Sequence, residues 1–212
     1  QLSSIASLVV VYLVVQGFLK SGSPALLFLF CGVLAWACTG VLAFYVGGHN
    51  ANVTVSIHNM GAALAGGCHL AGVLLIGRRQ RVMRSAGLVL PLALAGTLAA
   101  MVLIVLVSRV QVLPVFFVPN RGGTWARQVV LGAAVLMFAV AAAVLVFRRT
   151  LREASFDRWY GLALALVAVG LFGGIVQYNL GSVVSWLARS AQFLSGIYMV
   201  VAAITGLREA NL

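Results

Sequence analysis

The stretch AGLVLPLALAGTLAAMVLIVLVS, residues 86–108, holds no charged side chain and is fenced by Arg84 before it and Arg109 after it. A helix of roughly 20 apolar residues matches the ~30 Å hydrocarbon core of a bilayer, and a charge inside that core costs several kcal/mol. The pattern of apolar run and basic fence recurs along the whole chain. Reading outward with a window of about 19 residues predicts seven segments, at 3–19, 24–46, 53–76, 86–108, 128–147, 159–178 and 183–207. Gly, Pro, Ser, Asn or Arg punctuates each break. The expected fold class is all-α: one polytopic membrane domain over residues 1–212, a bundle of seven transmembrane helices.

Composition supports this reading. Of 212 residues, 63% are hydrophobic and 8% charged, which leaves too little polar surface to cover a water-soluble globule of this size. The net charge of +11 comes from 14 basic residues against three acids, Glu153, Asp157 and Glu209. The arginines gather at helix ends and not on a basic, aromatic-studded face, so the expected partner is the lipid bilayer and no nucleic acid.

The basic clusters also orient the bundle. Arg78, Arg79, Arg81, Arg84, Arg148, Arg149, Arg152, Arg158, Lys20 and Arg208 fall on one side, while Arg109, Arg121, Arg127 and Arg189 fall on the other. The positive-inside rule then sets the N-terminus outside and the C-terminus in the cytoplasm, in a multi-pass protein of the inner (plasma) membrane. The first run has no basic leader and no small-residue cleavage pattern, so it reads as a span and not as a signal peptide. With no initiator Met and a stop just after Leu207-Arg208-Glu209-Ala210, the sequence reads as a piece of something longer.

Small residues predict which helices lie inside. Gly61, Ala62, Ala63, Ala65, Gly66 and Gly67 in the third segment, and Gly170, Gly173 and Gly174 in the sixth, allow close backbone approach in lipid. The stretch 112–119, VLPVFFVP, is apolar but too short to span and is bounded by two prolines, so it reads as an interfacial or re-entrant segment on the outer face.

Little in the sequence points to catalysis. No nucleophile with a base, no carboxylate dyad and no phosphate-cradling loop assembles, and every acid is expected at the cytoplasmic edge. Catalytic residues are therefore none and the chain is not read as an enzyme. The lack of a buried carboxylate argues against a pump or a coupled transporter. Cys31, Cys38 and Cys68 lie in apolar runs without CxxC spacing and read as small core residues.

The polar candidates enter the third segment from outside. His58 and His69 are eleven residues apart, hence within about 20° on one helical face and about 16 Å apart along it. They share a face but not a metal. Haem would need Met101, Met137 or Met199, or a second protomer, as its other ligand. Copper(I) would need Cys31, Cys68 and His69, with His58 the remaining metal candidate, to converge. Otherwise His58, Asn59 and His69 hydrogen-bond to neighbouring helices or line a polar ligand-sensing pocket. No cofactor is predicted beyond these two possibilities.

Polar and aromatic groups concentrate at the outer end: His49, Asn50, Arg121, Arg127, Tyr178, Arg189 and Gln192 join His58 and Asn59 as ligand-binding candidates. Tyr45, Trp125 and Trp186 suit an interfacial belt. Several arginines without an acid favour an anionic ligand or a lipid headgroup. Asn52-Val53-Thr54 is a glycosylation sequon, of consequence only in a eukaryotic secretory pathway.

The stretches NANVTVSIHNMGAALAGGCHLAGVLL at 50–75 and WLARSAQFLSGIYMVVAAITGLREA at 186–210 resemble the membrane-associated sensor (MASE-type) input domains of bacterial and archaeal histidine kinases and diguanylate cyclases. The resemblance is specific over these stretches and architectural elsewhere. It implies a two-component or cyclase input module whose last helix runs into a cytoplasmic PAS, kinase or cyclase output module, with His58, Asn59, Arg189 and Gln192 as the matched polar positions. A stand-alone chain would instead be a homodimer or an accessory subunit of a respiratory or photosynthetic membrane complex.

Overall fold

A computed structural model describes residues 2–48, 50–76, 83, 85–118, 121–149, 155–176 and 182–211. Seven helices appear in chain order: α1 Leu2–Ser21, α2 Pro24–Gly47, α3 Ala51–Leu75, α4 Ala86–Arg109, α5 Trp125–Arg149, α6 Ser155–Val176 and α7 Val183–Asn211. Each coincides with one apolar segment of the sequence, to within a few residues.

Five of them (α2, α4, α5, α6 and α7) are long and apolar enough to cross a membrane. The described apolar stretch of α1, Ala6–Ser21, is shorter. α3 has the length, but Asn52, His58, Asn59 and His69 dilute its apolar character. These helices make the chain a membrane-embedded helical protein.

Helix ends follow local chemistry. Gly22 takes a left-handed φ of +60° and returns its N–H to Phe18 O at 2.7 Å, closing α1 just before Pro24 opens α2. Gly48, at φ +52°, releases the chain from α2. Asn50 then caps α3, its side chain accepting from Val53 N at 3.2 Å.

Helices α1, α2, α3, α5, α6 and α7 pack each on the next, and α7 returns to α1, so six helices close a ring. α4 lies outside it, on α2 and α3. It buries one stripe, Thr97, Met101, Ile104 and Ser108, spaced three or four residues apart, and leaves Leu88 and Leu92 each 71% exposed.

Small residues sit at the close approaches, as their positions predict. A Cβ on Gly66 would stand 3.3 Å from Phe138 of α5, and one on Gly72 would stand 2.6 Å from Leu29 of α2. At Gly170 it would come within 2.6 Å of Gln192 and 2.9 Å of the Ala188 carbonyl, both on α7. Backbone contact of this kind supplies the dispersion that holds helices together where no hydrophobic effect acts between them.

Interhelical hydrogen bonds show which ends lie together. Met83 N donates to Gly22 O at 3.0 Å, Arg148 donates to Ile76 O, and Ser155 N donates to Glu209 Oε1 at 2.8 Å. The C-terminal ends of α1, α3, α5 and α7 therefore share one end of the bundle. Arg109, Arg121 and Arg127 mark the other.

One expectation needs revision. Asp157 is buried, at 4% exposure, so one carboxyl does enter the packed interior. It sits in the first turn of α6, where the partial positive charge of the helix N-terminus favours a carboxylate. The apolar stretch 112–119, as far as Val118, is tied to the N-terminal end of α3. Phe117–Val118 (β1) pairs antiparallel with Gly122–Gly123 (β2), and Asn52 Oδ1 accepts from Phe116 N at 2.8 Å and Phe117 N at 3.0 Å. Phe116 is buried beneath this hairpin.

Candidate functional site

Two histidines of α3 face the inside of the ring at different depths. His69, fully buried, receives the ring of Phe138 at 5.4 Å between centroids and meets Tyr160 of α6, with 2.8 Å between the hydroxyl and Nδ1. Gly32 of α2 closes the opposite edge, where an added Cβ would lie 3.0 Å from Nε2. Among the described residues His69 Nε2 has no hydrogen-bond partner, and neither has Asn59 Nδ2.

His58 lies about 16 Å away along α3, seven residues into the helix. Its ring meets Trp36 edge-on at 6.2 Å, and Trp36 meets Phe138 at 6.0 Å. Trp36, Phe138, His69, Tyr160 and Phe156 thus form a continuous column, ending in the Phe156–Tyr160 stack at 5.1 Å. The column fills the ring beneath His58.

Above that plug is a partly open cavity of about 60 Å³. Ser7 of α1, Trp36, Thr39 and Gly40 of α2, His58 of α3 and Gln192 of α7 line it. Thr39 spends its proton on Ala35 O at 2.7 Å and so presents lone pairs. Gly61 leaves room for the Thr39 side chain, which a Cβ there would meet. Gln192 is held from behind by the Gly170 notch of α6.

The structure therefore brings together only part of the polar set expected from the sequence. His58 and Gln192 line one cavity, and Asn59 is buried beside them on α3. Asn50 is exposed and caps α3. Arg189 is exposed, 5.9 Å from the ring of Trp186, and Arg121 is exposed in the hairpin turn. Arg127 reaches sideways to donate to Gly174 O at 2.9 Å, close to the C-terminal end of α6, and Arg109 reaches the Val46 carbonyl near the end of α2 at 3.5 Å. These two outer arginines neutralise helix C-termini. His49 and Tyr178 lie outside the described residues.

Among the described residues no group of three His, Cys, Asp or Glu side chains is placed to hold a metal ion. The free nitrogen of His69 faces Gly32, where only the missing Cβ makes space for the ring. The sequon residue Asn52 has its side-chain oxygen engaged with the hairpin backbone.

Ser7, Trp36, Thr39 and Tyr160 escaped the reading of the sequence. Each lies in an ordinary apolar context, and only the pairing of distant helices brings it to His58 or His69.

Comparison of the chain with protein-family models, with curated proteins and with solved structures finds no match. Fold and site together define an all-helical membrane-embedded protein with a partly open polar cavity inside a helical ring.

Proposed function

We propose that the chain is a membrane-embedded sensory input domain: a small ligand from the outer or membrane side occupies the cavity at His58 and shifts α7, which relays the change to a cytoplasmic output module. The carrying observation is that one cavity has walls from α1, α2, α3 and α7 and a floor of packed aromatic rings. A cavity floored by packed rings suits binding, whereas passage needs an exit. Its contact with α7 through Gln192 gives a ligand a lever on the C-terminal helix. The ligand then moves α7 only by its differential affinity for two helix arrangements.

In this reading all seven helices cross the inner membrane, with the N-terminus outside and Lys20, Arg148, Arg158 and Arg208 at the cytoplasmic end. The resemblance of residues 50–75 and 186–210 to membrane-associated sensor domains supports the same assignment. Joining a cyclase or kinase reporter after α7 tests it. His58→Ala and Gln192→Ala should each change reporter output, and output identical to the parent in both would refute the sensor.

A second reading, an accessory subunit of a larger membrane complex, draws on the bare outer face of α4, where Leu88, Leu92, Val102, Leu103 and Leu106 are all more than half exposed. Copurification of a partner would favour it, and a chain that migrates alone or as a homodimer would exclude it.

A further inference from the structure

We propose that the outward edge between α6 and α7, at Arg158, Trp159 and Tyr198, holds the phosphate of an anionic glycerophospholipid whose acyl chain lies along the two helices. The proposal requires only that α6 and α7 cross the membrane and is independent of the sensor reading.

The three side chains come from two packed helices. Trp159 of α6 stacks on Tyr198 of α7, with 5.6 Å between centroids and 11° between planes, and the Arg158 guanidinium lies 5.1 Å from the Trp159 ring. Arg158 is exposed and both aromatic residues are half-buried, so the group opens outward from the bundle. Arg158 belongs to the first turn of α6, at the end of the bundle where Ser155 meets Glu209. A cation and an aromatic pair at the end of a membrane-crossing helix stand at headgroup level.

All three carry donors that the protein leaves unused. Among the described residues, the Arg158 guanidinium, the Trp159 indole N–H and the Tyr198 hydroxyl donate to no protein acceptor. A phosphodiester is their complement, because its charged oxygens only accept and bind guanidinium in charge-assisted pairs.

Net charge decides among headgroups. Of the described acids, Asp157 is buried and Glu209 accepts from Ser155 N, so neither is turned over to a lipid ammonium group. Arg158 already holds the place over the Trp159 ring that a choline would need for a cation–π contact. A headgroup with net negative charge therefore gains from this edge what a zwitterionic one does not.

The apolar surroundings separate a lipid from a free anion. One turn further into the membrane, Leu162 of α6 and Leu194 of α7 are 40% and 42% exposed. They share helix faces with Trp159 and Tyr198, at spacings of three and four residues. An acyl chain covers them, whereas inorganic phosphate touches neither.

Native mass spectrometry of the full chain, released from micelles holding equal amounts of phosphatidylglycerol and phosphatidylcholine with identical acyl chains, tests this. Phosphatidylglycerol should be retained about tenfold over phosphatidylcholine, and Arg158→Gln and Tyr198→Phe should each lower that ratio at least about threefold. Lys20→Gln removes one positive charge from the same end, on α1, and should leave the ratio unchanged. Excess inorganic phosphate should not displace the lipid. Two substitutions on different helices keep the test decisive if one variant fails to fold. Equal retention of the two lipids, or a ratio untouched in both variants, overturns the proposal. So does a loss in Lys20→Gln as large as in Arg158→Gln, which would mean diffuse attraction to a basic end, and so does displacement by inorganic phosphate.

Discussion

Tyr160 and His69, 91 residues apart in the chain, meet inside the helical ring with 2.8 Å between the phenolic oxygen and the imidazole Nδ1. Both side chains are buried, on α6 and α3 respectively, two helices that are not neighbours in the ring. The bond therefore ties two walls that α5 separates.

Removing one partner strands the other. Tyr160→Phe leaves Nδ1 of His69 unsatisfied and should destabilise the protein by about 1–3 kcal/mol, whereas Tyr160→Phe combined with His69→Leu should recover much of that loss because no buried polar group remains. Thermal unfolding of the single and double variants in detergent measures the coupling. Strict additivity of the two single changes would contradict the bond as described.

Two glycines of α6 and α4 separate contact from propensity. Gly170→Ala sets a methyl against the Ala188 carbonyl and Gln192, and overpacking of this kind should cost about 1–3 kcal/mol. Gly96→Ala meets nothing within 4 Å and should be neutral or stabilising by up to about 1 kcal/mol through helix propensity. Unfolding midpoints of the two variants should move in opposite directions or leave Gly96→Ala in place.

Asn52 holds the hairpin to α3 by accepting two backbone N–H groups. Asn52→Ala leaves both donors unpaired, at a cost of about 1–3 kcal/mol each where they are shielded from water. Hydrogen–deuterium exchange should accelerate over residues 112–124 and stay unchanged in α6. Unaltered exchange in the hairpin would show that Asn52 does not anchor it.

Arg127 and Arg189 were equivalent in the sequence but differ in the fold. Arg127→Ala removes the cation that meets the end of α6 and should cost about 0.5–2 kcal/mol, while Arg189→Ala, exposed beside Trp186, should stay within about 0.5 kcal/mol of the parent. Comparing their unfolding midpoints decides this.

Hydropathy placed all seven helices because a bilayer imposes one local demand, that a backbone segment satisfy its own hydrogen bonds and carry apolar side chains over its length. Gly61, Gly66 and Gly170 were legible as close-packing positions for a similarly local reason: their lack of side chain is a property of the residue itself. The candidate site was legible only in part. His58 and Gln192 stood out as polar residues in apolar runs, whereas Asn50 and Arg127 proved to cap helices, α3 and α6.

The sequence alone determined where the helices start and stop, how strongly each favours lipid, and which of them carry polar or small residues. The tertiary structure alone decided that α4 stands outside the ring, that Tyr160 is the partner of His69, and that Ser7, Thr39 and Gln192 share a cavity with His58. Neighbour choice among helices depends on the fit of whole surfaces from segments far apart in the chain, and no local pattern along one segment encodes the shape of another.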